Sequence, residues 1–201
     1  MAISYGVAVR NASLDAFETQ ISTSPKLRLY SGAIPANAGA TIGAAVLLVE
    51  MSLPIDWMAA ASAGSKALAG SWTGTAVAGT AAVPTFYRIW DTVGTTCGEQ
   101  GSSGSAVTIS TSALTAANGN VLTFAATTGV AVGQLVTGTG IVTGTTVLAL
   151  TGTTVTLSHS STAGVASAAA ITFTYDLPVN GTLTTGQTIS VTNYTKTDGN
   201  P

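Results

Sequence analysis

The stretch Thr145-Thr-Val-Leu-Ala-Leu-Thr-Gly-Thr-Thr-Val-Thr-Leu-Ser158 decides the fold class, because after its glycine the apolar Val155 and Leu157 alternate with hydroxyl side chains. Side chains that alternate with a period of two are typical of a strand with one buried face. Gly144-Thr-Thr-Val147 recurs as Gly152-Thr-Thr-Val155, so the two halves are predicted to form a hairpin that turns near Thr151-Gly152. The stretch therefore predicts a β-domain.

The same pattern continues on both sides of this hairpin. Between Glu99 and Asp176 the chain contains no Asp, Glu, Lys or Arg, yet Thr, Ser and Gly interrupt its apolar residues throughout. A membrane-spanning helix needs about 20 consecutive apolar residues, and a disordered linker is poor in apolar residues and rich in charge, so neither description fits. Further short strands are predicted at residues 121–124, 134–137 and 170–175. The stretch predicts a folded β-module with a hydroxyl-rich outer face, which favours packing, display or adhesion over chemistry.

One helix is predicted, near the start of the chain. Its apolar stripe recurs at helical spacing and consists of Leu14, Phe17 and Ile21. Asn11 or Ser13 can cap the first turn, and Pro25 lies just beyond the predicted end, where a stop signal belongs. The rest of the chain is predicted to be strand and turn.

Alternation also predicts the inward faces of strands outside the charge-free module. The side chains predicted to face inward are Leu27, Leu29, Leu47, Val49, Met51, Leu53, Ile189 and Val191. Those predicted to face outward are Lys26, Arg28, Tyr30, Glu50 and Ser52. Tyr194 falls out of phase with Val191, so Asn193 is predicted to mark a bulge. Residues 85–91 are predicted to form a strand, and residues 98–105 a break rich in glycine and serine.

The composition of the chain changes at this break to a charge-free stretch rich in Thr and Gly, and it changes back after Asp176. We therefore predict a core domain made of residues 1–105 plus 176–201, with residues 106–175 inserted as a second domain. Short strands with closely spaced turns are typical of a sandwich or a barrel. The predicted fold class is all-β: a jelly-roll-like β-sandwich core with a short N-terminal helix, carrying a small inserted β-sandwich or barrel.

The composition of the chain limits the classes of function that can be expected of it. Charged residues make up 7% of the chain and the net charge is −2, against a usual charged fraction of about 25%. Without a cluster of Lys and Arg the chain is not expected to bind nucleic acid. The single cysteine excludes an internal disulfide and a CxxC site. The opening Met1-Ala-Ile-Ser-Tyr-Gly6 lacks the basic and apolar regions of a signal peptide, so synthesis in a host cytoplasm, without a membrane partner, is predicted.

Individual residues offer little chemistry. His159, the only histidine, follows Val155 and Leu157 in phase and is predicted to be half-buried or at the rim, because a zinc site needs about three or four ligands. Cys97 lies in a turn-like Thr-Thr-Cys-Gly stretch with no neighbouring histidine to activate it, so a small buried or incidental residue is predicted rather than a nucleophile. Gly138-Thr-Gly140 resembles a phosphate loop but lacks the lysine and helix that such a loop needs.

Carboxylates and tryptophans complete the search for a site. A pair for glycoside cleavage would come from Asp15, Glu18, Glu50, Asp56, Asp91, Glu99, Asp176 and Asp198. These residues are scattered near turns or on the polar faces of strands, so solvated positions are predicted. Trp57, Trp72 and Trp90 can be read as a sugar-stacking platform or as core or interface anchors, and the anchor interpretation is favoured. No catalytic, metal or cofactor-binding residue is predicted, and the protein is not expected to be an enzyme.

Both ends of the chain resemble small virion proteins of tailed bacteriophages, described as head-decoration or minor tail proteins. The matching residues are Arg10, Leu14-Asp-Ala16, Leu27-Arg-Leu-Tyr-Ser-Gly-Ala-Ile-Pro35, Phe86-Tyr-Arg-Ile-Trp-Asp91, Gly94-Thr-Thr96, Gly101-Ser-Ser-Gly104, Leu183, Gly186-Gln-Thr-Ile-Ser-Val191 and Gly199-Asn200. Such proteins usually pass directly from the glycine- and serine-rich break to the final strands, and this chain departs from them by its inserted module.

The resemblance implies a role in the virion. The leading hypothesis is a capsid cement or decoration protein that binds the major capsid protein on the outer surface of the head, as a homo-oligomer, and stabilises the particle. The alternative is a tail-associated adhesin, a carbohydrate-binding module that contacts the host surface. An enzyme such as a depolymerase is the third and least favoured hypothesis.

Overall fold

The computed structural model describes residues 4–179 and 181–198. The start of the segment tested for a signal peptide, residues 1–3, and the Gly199-Asn200 match lie outside the described residues. The elements are α1 (Val7–Ile21), β1 (Lys26–Ser31), β2 (Val46–Ser52), β3 (Ser65–Ala67), β4 (Trp72–Ala76), β5 (Phe86–Trp90), β6 (Cys97–Gly104), β7 (Val107–Ser110), β8 (Val121–Thr123), β9 (Leu135–Thr137), β10 (Val147–Thr151), β11 (Thr154–Leu157), β12 (Ala170–Thr174), β13 (Leu177–Pro178), β14 (Thr188–Val191) and β15 (Thr195–Thr197).

The chain divides into two compact units. The outer unit contains the chain up to Ser103 and from Gly181 onward, and the inserted unit comprises Gly104–Asn180. The limits predicted from the sequence, residues 106 and 175, lie slightly inside these boundaries. The all-β fold with a short N-terminal helix is confirmed. In the described part of the chain, no helix is both long enough and apolar enough to span a bilayer.

The outer unit is built on one antiparallel sheet that curves into a nearly closed, barrel-like form. Its strands follow the order β6-β5-β1-β2-β4-β14, and a separate two-stranded sheet joins β15 to β3. Leu27 and Leu29 of β1 are fully buried, and Ile189 and Val191 of β14 are also buried, as their alternation predicted. Trp57, beyond β2, is fully buried and its ring packs against that of Trp72 in β4.

Helix α1 begins earlier than its apolar stripe predicts. Its N-cap is Gly6, which has extended backbone and makes no side-chain cap, so the prediction of a cap at Asn11 or Ser13 is wrong. Asn11 instead accepts a hydrogen bond through Oδ1 from the Gly64 backbone N–H at 2.8 Å. The helix ends at Ile21, shortly before Pro25, as predicted. The extra first turn has exposed side chains and therefore carries no periodic apolar signal.

A bulge alters the inward face of β2. The register of β1 and β2 pairs Leu29 with Val49 and Tyr30 with Leu47, so Leu48 is the extra residue. Leu48 is consequently buried, whereas Leu47, predicted inward, is only half-buried. An inserted residue changes the parity of every side chain beyond it, which strict alternation cannot anticipate.

Two further predictions about the outer unit are wrong. Residues 98–105, predicted to be a break, largely belong to the long strand β6. Asn193 marks no bulge, because β14 ends at Val191 and the chain starts the separate strand β15 at Thr195. Tyr194 lies between the two strands and is buried.

The inserted unit contains two small sheets that enclose one core. The sheets follow the orders β10-β11-β8 and β7-β12-β9. Both contribute apolar side chains to the core, whose buried members are Leu122, Phe124, Val136, Val147, Val155, Leu157, Val165, Ile171 and Phe173. The predicted hairpin is confirmed, since β10 and β11 pair antiparallel and close with Thr151 opposite Thr154.

Bridges between the two sheets nearly close this unit into a barrel. A bridge joins Thr111 to Phe124 beside β7 and β8, and another joins Leu135 to Thr146 beside β9 and β10. Strand edges that pair with each other do not remain as templates for pairing with other chains. The ends of the unit also meet, because the Val179 N–H donates to the Gly104 carbonyl oxygen at 3.0 Å.

Candidate functional site

The histidine and the cysteine occupy positions with little chemical potential. His159 is exposed just beyond the end of β11, so of its two predicted positions the half-buried one is wrong and the rim remains, and its Nδ1 lies 3.0 Å from the Ser158 Oγ. Cys97 begins β6 instead of lying in a turn, and its Sγ donates to the Glu99 carbonyl oxygen at 3.1 Å. Burial raises the pKa of the Cys97 thiol, which disfavours the nucleophilic thiolate.

Several carboxylates are engaged by the protein itself instead of being solvated. Glu99 accepts hydrogen bonds from the Tyr87 and Tyr194 hydroxyls at 2.6 and 2.8 Å and pairs with Lys196 Nζ at 2.8 Å. Glu50 accepts from Lys26 and Arg28, and although burial opposes it, these hydrogen bonds lower the pKa of Glu50. Among residues 4–179 and 181–198, no three His, Cys, Asp or Glu side chains come close enough together to hold a metal ion.

A buried lysine joins helix α1 to β3. Lys66 is 3% exposed and its Nζ lies 2.6 Å from Asp15 Oδ1 and 2.8 Å from Glu18 Oε2. Burial alone would lower the pKa of Lys66, but its hydrogen bonds with the two carboxylates outweigh this and raise the pKa. The two carboxylates therefore keep the lysine charged, and these contacts fix helix α1 on the outer unit.

All six lysine and arginine side chains are held by partners within the chain. Lys26, Arg28, Lys66 and Lys196 form salt bridges with carboxylates. Arg10 Nη1 donates to the Asp198 carbonyl oxygen at 3.1 Å, and Arg88 donates to three neutral oxygen atoms. Cations engaged in this way are not arranged as the exposed basic patch that a nucleic-acid backbone requires.

The three tryptophans have different roles. Trp57 and Trp72 are buried, with ring centroids 5.8 Å apart, so the anchor interpretation is confirmed for them. Trp90 is half-buried on the other face of the sheet, where Arg28 and Arg88 lie over its ring at 5.1 and 5.5 Å. Gly138, in the stretch whose likeness to a phosphate loop was already superficial, permits close packing, because a Cβ there would lie 2.6 Å from Ile171 Cδ1.

The most site-like feature is a cleft on the outward face of β5, which we call the Trp90 cleft. Its lining residues are Ala38–Gly43, Arg88, Trp90 and Thr95–Cys97, and its volume is about 600 Å³. One wall is the loop of residues 38–43, and the others are the end of β5, the turn after it and the start of β6. The sequence did not predict this cleft, because residues far apart in the chain form it and none of its walls carries a recognisable motif.

Hydrogen bonds from the sheet hold the loop wall in place. Arg88 Nη2 donates to the carbonyl oxygens of Asn37 and Ala40 at 3.0 and 2.8 Å. Gln100 Nε2 donates to the Pro35 carbonyl oxygen at 2.8 Å, and its Oε1 accepts from Arg88 Nε at 2.9 Å. The loop wall and the residues just before it are therefore tied to the sheet by side-chain hydrogen bonds at three carbonyl oxygens.

Threonines cross both sheets of the inserted unit in rows. One row pairs Thr172 with Thr108 and Thr137, and the hydroxyls of Thr108 and Thr172 lie 2.8 Å apart. The other row consists of Thr151, Thr154 and Thr123. The hydroxyl-rich outer surface predicted for this unit is therefore ordered in register across neighbouring strands.

Comparison with known proteins gives no further guide to the function of these features. No protein-family model, no curated protein and no solved structure matches this chain.

Proposed function

We propose that this protein is a structural component of a tailed-phage virion, a cement or decoration subunit that binds the major capsid protein on the outside of the head. The observation that carries the proposal is the inserted unit, a self-contained barrel whose two ends meet. A module attached in this way can be displayed without disturbing the fold that carries it. Its surface, on which Asp176 is the one acidic residue, and its mutually paired edges suit crowded display over a lattice.

Apolar contact is the expected means of attachment. The segment that leads into α1 and its first turn expose Tyr5 (51%), Val7 (48%) and Val9 (56%). Four of the six cations already pair with carboxylates of the chain, so apolar contact is expected to supply the larger share of the binding free energy. Burial of these apolar side chains against the capsid would contribute to the binding free energy.

Repetition makes weak contacts sufficient. A subunit that binds intact capsid and not its separated parts stabilises the intact state by mass action. Linked protomers in a homo-oligomer increase the effective concentration of each contact. A lattice protein with modest individual contacts can therefore raise the temperature at which a filled head loses its DNA.

The decisive experiment compares virions with and without the protein. Complete particles should carry hundreds of copies on the head by microscopy, and particles that lack the protein should assemble but release DNA at a lower temperature. Val9→Asp should reduce incorporation because it places a charge in the apolar contact, whereas Thr19→Asp, on the exposed surface of the same helix, should not. Particles that are fully heat-stable without the protein but fail to adsorb to cells would overturn the proposal.

The threonine rows favour a second candidate, a tail-associated adhesin. Ordered hydroxyls on an exposed sheet can donate and accept hydrogen bonds with the hydroxyls of a host glycan. The burial of Trp57 and Trp72 counts against it, because these rings cannot stack on a sugar. A glycan-binding screen with the intact protein, and a copy number of only a handful per particle, would favour this candidate over the cement protein.

A further inference from the structure

Arg88 is a buried cation whose charge no carboxylate balances directly. Its side chain is 1% exposed, and it lies in the wall of the Trp90 cleft. Its hydrogen-bond partners are Gln100 Oε1 and the carbonyl oxygens of Asn37 and Ala40, which are all neutral. A buried charge is costly unless an opposite charge or well-placed polar groups offset the lost hydration.

The arrangement leaves one nitrogen of the guanidinium unused. Nε and Nη2 donate to the three neutral oxygens, and within the described residues Nη1 has no acceptor. Because Arg88 lines the cleft, Nη1 is the nitrogen left for a group that enters it. Arginine recognises carboxylates through charge-assisted hydrogen bonds, which are stronger than bonds between neutral groups.

The neighbouring charges reinforce this preference for an anion. Lys26 and Arg28 share the single carboxylate of Glu50, so the outward face of β1 and β5 carries an excess of positive charge. Asp91, just after β5, accepts hydrogen bonds from the backbone N–H groups of Gly94 and Thr95 and keeps its negative charge. With Arg88 included, three cations on this side of the sheet stand against the two carboxylates of Glu50 and Asp91, so an anionic group in the cleft would meet a modest excess of positive charge.

We propose that the Trp90 cleft is a carboxylate-binding site that takes an acidic side chain of a partner polypeptide, with Arg88 as its anchor. The cleft is a volume of about 600 Å³, enough for a side chain and its neighbouring backbone. The Trp90 ring offers an apolar face beside the arginine, and Thr41, Thr95 and Thr96 surround it with small polar side chains. The identification of the partner as a polypeptide rests on the proposed function, whereas recognition of the carboxylate does not.

The binding test uses the intact protein and a defined probe. The blocked peptide acetyl-Gly-Asp-Gly-amide is titrated while the indole N–H resonances of the three tryptophans are followed by NMR, with Trp90 assigned through Trp90→Phe. The Trp90 resonance should shift to saturation, and those of the buried Trp57 and Trp72 should not move. The matched peptide with Asn in place of Asp should bind at least about tenfold more weakly, because it lacks the charge. Equal binding of both peptides, no shift with either, or tighter binding of glucuronate than of the Asp peptide would overturn the proposal.

A variant pair makes the test independent of changes to the buried arginine. Thr96 is exposed at the rim of the cleft, so substitution there should preserve the fold. Thr96→Glu places a carboxylate of the protein itself at the site, whereas Thr96→Gln has the same shape but is neutral. The Asp peptide should bind Thr96→Glu at least about tenfold more weakly than it binds Thr96→Gln, because the two variants differ only in charge. Equal binding of the peptide by the two variants would overturn the proposal.

Virions separate this inference from the proposed function. If the carboxylate site contacts the capsid, Thr96→Glu should be incorporated at a lower copy number than Thr96→Gln. Equal incorporation of the two variants would refute the role of the site in the particle and leave the structural function standing. Absence of the parent protein from heads would instead refute the proposed function, while the peptide titration would still decide on the cleft.

Discussion

Two glycines explain why residues 98–105, predicted to be a break, largely form the long strand β6. A Cβ at Gly98 would lie 2.5 Å from Ile21 Cγ1, and one at Gly101 would lie 2.5 Å from Tyr87 Cε1. Glycine and serine are poor strand formers, so composition alone predicts a loop. Within β6 the missing side chains allow the helix and a neighbouring tyrosine to pack closely against the backbone.

Gly101→Ala should therefore be costly. The added methyl would overlap the ring of Tyr87, which is buried and pairs directly with Gly101 across the two strands. Overpacking of this kind costs about 1–3 kcal/mol of unfolding free energy, measured by urea denaturation. Gly6→Ala is the control, since a Cβ there meets nothing within 4 Å. A loss at Gly101 no larger than at Gly6 would show that the sheet yields easily at this point.

Arg28 shows that an outward-facing residue need not be exposed. Alternation places it on the polar face of β1, yet it donates to Glu50 at 2.7 Å and to the Gly94 carbonyl oxygen at 3.1 Å and lies over Trp90. Arg28→Ala should destabilise the outer unit by about 1–3 kcal/mol, since it removes charged hydrogen bonds and leaves a carboxylate half-paired. Lys26→Ala, which removes only the weaker contact with Glu50, should cost under about 1 kcal/mol. Equal losses in urea melts would contradict this difference.

At the scale of elements, the sequence predicted the elements that local patterns specify and missed those that depend on packing between distant parts of the chain. The hairpin of β10 and β11 follows from a repeat of four residues and a glycine turn, both visible in the sequence. The first turn of α1 was missed because its exposed side chains carry no periodic signal. The bulge at Leu48 and strand β6 were missed because each depends on what packs against it. The Trp90 cleft was missed for a related reason, since the loop that covers Arg88 is brought there only by the fold.

The turn after β5 is an element whose stability should depend on acid. Asp91 accepts hydrogen bonds from the Gly94 and Thr95 N–H groups at 2.7 and 2.8 Å. These bonds, that of Thr95 first, lower the pKa of Asp91 to about 2 from its ordinary value of 3.8. Because the folded state has the lower pKa, the stabilisation is present above about pH 4 and is lost as the pH falls toward about 2.

Asp91→Asn tests this dependence directly. The variant should unfold at a lower urea concentration than the parent at pH 7, and the difference between them should shrink as the pH approaches about 2. Midpoints measured at several pH values in this range provide the comparison. A difference that stays constant down to acid pH would mean that the ionised carboxylate does not stabilise the turn.

At the scale of the whole molecule, the chain consists of two compact units. The inserted unit closes on itself through bridges between its own strands, and its core draws only on its own residues. All three tryptophans belong to the outer unit, so their fluorescence reports the unfolding of that unit alone. Circular dichroism reports both units, and unfolding curves from the two probes should differ if the units unfold independently.

Replacing residues 104–180 with a short Gly/Ser linker should leave an outer unit that folds. The Gly104 carbonyl oxygen and the Val179 N–H are 3.0 Å apart, so a few residues can join the flanking chain without strain. Closing a short loop changes the chain entropy little, because its cost grows only with the logarithm of loop length. Tryptophan fluorescence should therefore show the parent midpoint in urea, while the slope of the transition seen by circular dichroism falls with the smaller surface exposed. A deletion product without a cooperative transition would show that the outer unit needs the inserted barrel to fold, and the barrel could then not be a module added to a complete protein.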